Sequence, residues 1–151
     1  MLDIVLVEPE IPQNTGNIGR TCVATGSRLH LVGPLGFSVT DTAVKRAGLD
    51  YWPKLDVTIY GDWTEFWAKH EHRTIWCFST KGTKRHVDVQ WPRDSMMLFG
   101  RETAGLPQEV LALGETVRLP MRKEYRSFNL SNSVAVAMFE YLRQWDFPGL
   151  I

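Results

Sequence analysis

The stretch RLPMRKEYRSFNLSNSVAVAMFEYLR, residues 118–143, joins a loop rich in amides and hydroxyls directly to an apolar segment. Ser131, Asn132 and Ser133 stand just before that segment, and short polar side chains accept the free N–H groups of a helix start. They predict that a helix begins at this cluster. Residues 134–139 are apolar on every side of a helical wheel, which is typical of a helix without a solvent face. Two interpretations remain open: a buried core helix, or a helix covered by its own sheet and by a second copy of the chain.

The length and charge of the chain limit the number of domains and the kinds of function it can have. A chain of 151 residues fits a single domain, so we expect one domain over residues 1–151. The 17 basic and 17 acidic residues balance, so an RNA-binding surface must be local or built by assembly. Cys22 and Cys77 lie among apolar neighbours without metal-ligand spacing, which predicts buried free thiols. With no leader and no apolar run of membrane-spanning length, we expect a cytoplasmic protein without a membrane segment. The absence of metal-ligand spacing predicts no metal site.

Short apolar runs alternate with helical segments along the rest of the chain. The predicted strands are 4–7, 29–32, 57–60, 74–79, 96–99 and 117–119. The predicted helices are 18–25, 40–47, a Trp-rich helix to Lys69 capped by Asp62 or Thr64, and 108–113. This alternation predicts an α/β fold, a mostly parallel sheet flanked by helices, with ligand-binding loops at the carboxyl ends of the strands.

The segment Asn14-Thr15-Gly16-Asn17 comes between the first predicted strand and the helix that follows it. A helix N-terminus offers free N–H groups and a favourable dipole to an anion such as phosphate. Arg20 would lie one turn inside that helix. Ordinary turn and cap chemistry explains the same residues.

Three later loops, 78–85, 99–106 and 119–130, are rich in small residues and backbone donors and acceptors, and are expected to enclose a small polar ligand. The expected apolar walls are Phe78, Leu119, Met121 and Leu130. Ordinary turns explain the glycines of these loops but not Glu102 and Asn129. A dehydrogenase is disfavoured because no GxGxxG follows the first strand. Triphosphate binding is disfavoured as well, because Leu106-Pro107 replaces the Lys-Ser/Thr of a triphosphate-binding loop.

Three segments, NTGNIGR (14–20), LFGRETAGLP (98–107) and RSFNLSN (126–132), resemble the three motifs of the SPOUT-class RNA 2′-O-methyltransferases. The opening VLVEPEIPQNTGNIGR (5–20), the segment RAGLDYW (46–52) and the ending FPG (147–149) resemble the small tRNA wobble-nucleotide 2′-O-methyltransferases of that class, the TrmL/YibK group. The resemblance extends over nearly the whole chain.

The resemblance implies a C-terminal trefoil knot, a homodimer and a site for S-adenosylmethionine in the knot. The cofactor would be held mainly by backbone groups around Phe78, Gly100, Leu119, Met121, Ser127 and Leu130. The substrate, the anticodon region of a tRNA, would be bound by Asn14, Asn17, Glu102, Arg126 and Asn129. Arg20 would approach from the partner subunit, together with Asn14 and Asn17.

The resemblance points to Arg20 as the general base that takes the proton of the ribose hydroxyl. Because a guanidinium stays protonated and only donates hydrogen bonds, the alternative is that Arg20 holds the adjacent phosphate and the developing alkoxide. The expected RNA contacts are Lys81, Lys84, Arg85, Arg122, Lys123 and Arg126, with Tyr125 available to stack on a base. A ribosomal RNA substrate and a non-catalytic RNA-binding SPOUT module are the alternative functions.

Overall fold

Seven strands form one parallel sheet in the computed structural model, which describes residues 1–40 and 42–151. They are β1 (Asp3–Val7), β2 (Arg28–Val32), β3 (Val57–Tyr60), β4 (Ile75–Phe78), β5 (Lys84–Arg85), β6 (Met96–Phe99) and β7 (Glu115–Arg118). The order is β3-β2-β1-β6-β4-β7-β5, and every neighbouring pair is parallel. The predicted α/β fold with a mostly parallel sheet is therefore confirmed.

Helices cover both faces of this sheet. They are α1 (Pro12–Thr25), α2 (Thr42–Gly48), α3 (Trp63–His70), α4 (Gln108–Leu111) and α5 (Leu130–Gln144), with 3₁₀ turns at Leu49–Lys54 and His86–Asp88. Successive strand residues point to opposite faces. Ile4 and Leu6 of β1 belong to the core that includes α1 and α5, whereas Val5 and Val7 belong to the core that includes α3 and α4. Burial on both faces explains why β1 reads as one apolar run.

The predicted start of the first helix at residue 18 is wrong, because α1 begins at Pro12. A proline suits the first position of a helix, where its missing N–H is not needed. The backbone N–H groups of Asn14 and Thr15 donate to the carbonyl oxygen of Ile11, at 3.1 and 3.4 Å, so they are not free for an anion. The helix ends as predicted at Gly26, whose φ of 70° is left-handed.

Close packing explains why residue 19, inside α1, is a glycine. A Cβ at Gly19 would lie 3.1 Å from the side chains of both Trp52 and Leu55. The bare backbone therefore lets the 3₁₀ turn Leu49–Lys54 pack closely against the helix.

The last helix also begins earlier than predicted. Asn129 is its N-cap and accepts hydrogen bonds from the backbone N–H groups of Ser131 (3.0 Å) and Asn132 (3.3 Å), so the predicted capping cluster lies inside the first turn. Although Ala137 and its neighbours Val134 and Met138 are buried, Val136 and Phe139 are 50% and 49% exposed. The interpretation of a core helix buried on every side is thus wrong for the single chain.

The other boundaries differ by a few residues. The helix predicted at 40–47 is observed as Thr42–Gly48, while Asp41 lies outside the described residues. Asp62 caps α3, as one of the two predicted caps, by accepting from the N–H of Glu65. The helix predicted at 108–113 is Gln108–Leu111, and the strand predicted at 117–119 is Glu115–Arg118. The basic loop 80–85 contains β5, a two-residue strand too short for sequence periodicity to show.

The connection between β4 and β5 crosses another strand. β7 lies between these two strands although they follow each other in the chain, so residues 79–83 pass over β7. The N–H of Ser79 donates to the carbonyl of Val117 at 2.9 Å, and a Cβ at Gly82 would lie 2.4 Å from the carbonyl carbon of Val117. A trefoil knot requires a passage of this kind; the knot itself stays a prediction.

Two further expectations from the sequence concern the free cysteines and the absence of a membrane-spanning helix. Cys22 and Cys77 are free and buried, as predicted, and burial raises the pKa of each thiol to about 12. Within residues 1–40 and 42–151, no helix is long and apolar enough to span a membrane.

Candidate active site

A cleft of about 680 Å³ lies at the carboxyl ends of β4, β6 and β7. The three loops that the sequence singles out all contribute to it. The expected cofactor residues on its lining are Phe78, Gly100, Leu119, Met121, Ser127 and Leu130, and the expected substrate residues are Asn14, Glu102, Arg126 and Asn129. The structure thus brings the expected site residues of these loops together at one place, as expected for the carboxyl ends of parallel strands.

Ten of the twelve site residues expected from the sequence therefore line one cleft, and only Arg20 and Asn17 do not. The volume of the cleft lies within the range of about 300–1,000 Å³ that is usual for small-molecule sites. Which ligand atoms these residues contact stays a prediction.

Both aromatic rings and bare backbone line the cleft. The rings of Phe78 and Phe99 stack with centroids 4.6 Å apart. A Cβ at Gly100 would lie 2.0 Å from the carbonyl carbon of Gly105, so no side chain fits there. Reciprocal backbone hydrogen bonds between Arg101 and Gly105, of 3.2 and 2.8 Å, close this loop. The arrangement offers a flat apolar surface beside backbone hydrogen-bonding groups.

Glu102 fastens the 99–106 loop to the start of α1. Its carboxylate accepts hydrogen bonds from the backbone N–H groups of Glu10 (2.8 Å) and Ile11 (3.0 Å) and from Nδ2 of Asn14 (3.3 Å). Ile11 is the residue that precedes α1, so the negative charge lies at the end of the helix where the dipole favours it. Glu102 therefore holds the cleft wall in place.

Asn14 carries this network onward to α5. Its Oδ1 accepts a hydrogen bond of 3.1 Å from Nδ2 of Asn129, whose own Oδ1 caps α5. One residue from each of the three motif segments is thus joined in a continuous chain of hydrogen bonds. The resemblance implies that Asn14 approaches a site from the partner subunit, but the structure places its side chain in the cleft of its own chain.

Two carboxylates that are not among the expected site residues support the same loop. Oε1 of Glu10 accepts from the N–H and the hydroxyl of Thr103, at 3.1 and 2.7 Å, and these hydrogen bonds lower the pKa of Glu10. Arg101 donates to Glu8 at 2.8 Å. The signal in the sequence is the pair of carboxylates after β1, but their partners follow β6, and the pairing of β1 with β6 is not readable from strand order.

Arg20 and Asn17 lie on the exposed side of α1, away from the cleft of their own chain. The guanidinium of Arg20 is 5.0 Å from the centroid of the Tyr51 ring, a cation–π contact. Asn17 lines a separate groove between α1 and α2. A role for Arg20 at a cleft therefore requires the cleft of another copy of the chain.

The predicted RNA-contacting cations divide into two groups. Lys84 is 3.5 Å from Glu115, and Arg85 makes a two-point contact with Asp88 at 2.7 and 2.8 Å. The side chains with no hydrogen bond or ion pair to a described residue are Lys81, Arg122, Lys123 and Arg126. Lys81 and Arg126 of this second group line the cleft. Among residues 1–40 and 42–151, no three or more His, Cys, Asp or Glu side chains are placed to hold a metal ion.

The fold and the cleft define a class of protein: parallel α/β proteins with a cleft of small-molecule size at the carboxyl ends of the central strands. The particular family follows from comparison with known proteins. The chain belongs to the SpoU rRNA methylase family, whose model matches residues 1–139. The methyltransferase class inferred from the three motifs is thereby confirmed.

Relatives resemble the chain over its full length. It is 47% identical to a tRNA (cytidine(34)-2′-O)-methyltransferase of Methylovorus glucosotrophus (strain SIP3-4), with 100% of both chains covered. It is 43% identical to a protein of the same name from Escherichia coli (strain K12), with 100% of this chain and 98% of the relative covered.

Solved structures agree with the fold. One described by the words "Structural insights into the 2-OH methylation of C/U34 on tRNA" matches with a TM-score of 0.94 and 41% identity, covering 97% of each chain. AviRb from Streptomyces viridochromogenes, solved with its cofactor AdoMet, matches with a TM-score of 0.89 and 24% identity over 97% of this chain and 58% of that one. At that identity, the second likeness supports the fold alone.

Proposed function

We propose that this chain transfers a methyl group from S-adenosylmethionine to the ribose 2′-oxygen of the wobble nucleotide, cytidine or uridine, of a tRNA. The observation that carries the proposal is the meeting of three motif segments at one cleft through Glu102, Asn14 and Asn129. The names of the full-length relatives support the substrate. We also propose that residues 1–151 form one domain, which acts in the cytoplasm.

The cleft fits S-adenosylmethionine by the chemistry of its lining. Phe78 and Leu119 provide apolar surface for an adenine ring, and the backbone around Gly100 and Ser127 provides hydrogen-bonding groups for its polar edges. When bound, this cofactor supplies an electrophilic methyl group on its sulfonium sulfur. The residues of the cleft bind it, exclude water and align the methyl group with the attacking oxygen. We place this cleft in the trefoil knot that the resemblance implies.

We infer a homodimer, and the exposed apolar side of α5 supports it. Val136 and Phe139 are each about half exposed, and the ring of Phe139 lies 6.3 Å from that of Phe147, which is 38% exposed. An apolar patch of this kind is typical of a surface that another chain covers. Because α1 packs beside α5, a second copy at this face would bring its own α1, and with it Arg20, toward the neighbouring cleft.

Arg20 is proposed to act on the ribose hydroxyl from the partner subunit. An arginine side chain remains protonated and donates hydrogen bonds, so it stabilises a developing alkoxide and holds the adjacent phosphate. The ring of Tyr51 fixes the guanidinium without withdrawing its charge, because no carboxylate pairs with Arg20 among the described residues. This environment favours the role of an anion-holding group over that of a general base.

The anticodon region of the tRNA would contact the cations that lack a carboxylate partner. Lys81 and Arg126 line the cleft, and Arg122, Lys123 and the 68% exposed Tyr125 lie on the same loop as Arg126. Lys84 and Arg85, each neutralised by a carboxylate, are expected to contribute less. Two subunits present this surface twice, which offsets the balanced charge of the single chain.

The proposal is tested by a transfer assay with S-adenosylmethionine carrying a tritiated methyl group and bulk tRNA from a strain that lacks the gene. The labelled nucleotide is then mapped by nuclease digestion. We expect the label in a 2′-O-methylnucleotide at the wobble position.

Two results would contradict the proposal in different ways. Label only in ribosomal RNA, supplied in a parallel reaction, would favour the ribosomal substrate. Absence of S-adenosylmethionine binding in calorimetry would favour a non-catalytic RNA-binding module.

A further inference from the structure

A second polar groove lies between α1 and α2, outside the cleft. We propose that it binds the RNA nucleotide adjacent to the one that is methylated. The side chains that define it are Gln13 and Asn17 of α1 and Thr42 and Arg46 of α2. This inference rests on the proposed function, because it names further residues that hold the same RNA. Arg46 would bind the phosphate, and the two carboxamides would bind the ribose or the base edge.

The groove stands on a packed platform. Val44, on the inner side of α2, has no solvent exposure. The close approach at Gly19 packs α1 against the turn Leu49–Lys54, and the Arg20–Tyr51 contact joins the same two elements. Exposed side chains on such a platform lose little additional backbone freedom when a ligand binds.

The side chains of the groove are available to a ligand. Gln13, Asn17 and Arg46 are exposed, and their side chains have no hydrogen bond or ion pair to any described residue. By contrast, Arg101 holds Glu8 and Arg143 holds Glu140. A guanidinium without a carboxylate partner suits a phosphate, which it can bind at two points. Carboxamides both donate and accept, as contacts to base edges and 2′-hydroxyls require.

The position of the groove relative to Arg20 determines which nucleotide it would receive. Residues three or four apart share one face of a helix, so Gln13, Asn17 and Arg20 form one stripe on α1. At 1.5 Å per residue, Asn17 lies roughly 4.5 Å and Gln13 roughly 10 Å along the helix axis from Arg20. With Arg20 at the reacting ribose, the groove falls beside a neighbouring nucleotide.

The test compares Arg46→Ala with Lys54→Ala, which removes a positive charge from an exposed position outside the groove. We expect Arg46→Ala to raise the KM for tRNA about tenfold. A plot of log affinity against log salt concentration should also become less steep, by about the amount expected for the loss of one phosphate contact. The kcat and the affinity for S-adenosylmethionine, measured by calorimetry, are expected to stay within about twofold of the unsubstituted protein, because Arg46 does not line the cleft. Arg46→Lys should restore part of the tRNA affinity, and Lys54→Ala should keep the normal KM.

Two results would contradict RNA binding in the groove, provided that the unsubstituted protein methylates tRNA. One is an unchanged KM in Arg46→Ala, and the other is an equal rise of the KM in Arg46→Ala and Lys54→Ala. Arg46→Gln provides a second variant of similar size should the alanine variant fold poorly. If the unsubstituted protein fails to methylate tRNA at all, the proposed function is wrong, and the groove proposal falls with it.

Discussion

The two ends of the parallel sheet use charged residues in opposite ways. At the end where the strands begin, Arg28 and Arg73 both pair with Asp3 in a closed cluster. At the end where they finish, glycine-containing loops surround a cleft, and Lys81 and Arg126 have no carboxylate partner among the described residues. Paired charges in this chain therefore stabilise the fold, whereas Lys81 and Arg126 remain available for a ligand.

Asp3 is the centre of the closed cluster. Its carboxylate has no solvent exposure and accepts from Arg28 at 2.7 and 2.8 Å, from Arg73 at 2.9 Å and from Nε2 of His30 at 2.8 Å. Burial raises the pKa of Asp3, but the hydrogen bonds from His30, Arg28 and Arg73 outweigh it and hold the pKa well below its usual range. The hydroxyl of Tyr60 extends the cluster from Nδ1 of His30, 2.9 Å away.

Breaking this cluster should produce the largest loss of stability. Asp3→Ala leaves Arg73 and His30 without their partner, and we expect the free energy of unfolding in urea to fall by about 3–5 kcal/mol. The matched control is Asp88→Ala, which breaks an ion pair of the same geometry with Arg85 on the exposed surface and should have no measurable effect. Equal losses in the two variants would contradict the contrast between buried and exposed pairs.

The same cluster should make the fold sensitive to acid. Because the pKa of Asp3 is lower in the folded chain than its ordinary value of 3.8, its stabilisation is present above about pH 4 and is lost as the pH falls further. We expect the free energy of unfolding to decline more steeply between about pH 4 and pH 3 in the unsubstituted protein than in Asp3→Asn. Parallel acid profiles would show that Asp3 titrates normally.

The sequence reveals the cleft end of the sheet better than the closed cluster. Loop residues such as Gly100 and Asn129 stand beside apolar runs, and the carboxyl ends of parallel strands meet, so their convergence is predictable. Asp3, Arg28 and Arg73 look like ordinary flanking charges in the sequence. Only the pairing of β1 with β2 and β6, and of β6 with β4, brings them together, and local patterns do not determine that order.

Arg20→Ala should remove function without removing stability. We expect kcat to fall by about 10²–10³, as for the loss of one group that stabilises developing charge, while the affinity for S-adenosylmethionine stays unchanged because Arg20 lies outside the cleft. Arg20→Lys should retain substantial rate if placement of charge is what matters. Tyr51→Phe, which keeps the aromatic ring beneath the guanidinium, is the matched control and should remain active.

Mixing two inactive variants tests whether Arg20 acts across a dimer. Gly100→Val distorts the loop that lines the cleft, because a Cβ at Gly100 would lie 2.0 Å from the carbonyl carbon of Gly105, while Arg20→Ala leaves the cleft intact. When subunits exchange, a mixed dimer contains one normal cleft facing one normal Arg20, so activity should return. Persistent inactivity after demonstrated subunit exchange would contradict action from the partner subunit.

The last prediction concerns a residue that lies at the cleft end of the sheet but whose charge is held by hydrogen bonds, as in the closed cluster. Glu102 lies at the cleft, yet its carboxylate, like that of Asp3, is held by N–H donors. For Glu102 there are three, from Glu10, Ile11 and Asn14. Glu102→Gln keeps the size but leaves one acceptor oxygen, so we expect a loss of about 1–3 kcal/mol in the free energy of unfolding. Cofactor affinity, measured by calorimetry, should fall with it because the loop that begins at Gly100 is less firmly held. Glu109→Gln, at an exposed position of α4, is the control and should change neither quantity. If Glu102→Gln weakened tRNA binding alone, with stability and cofactor affinity intact, Glu102 would be a substrate-binding residue and not a support of the cleft.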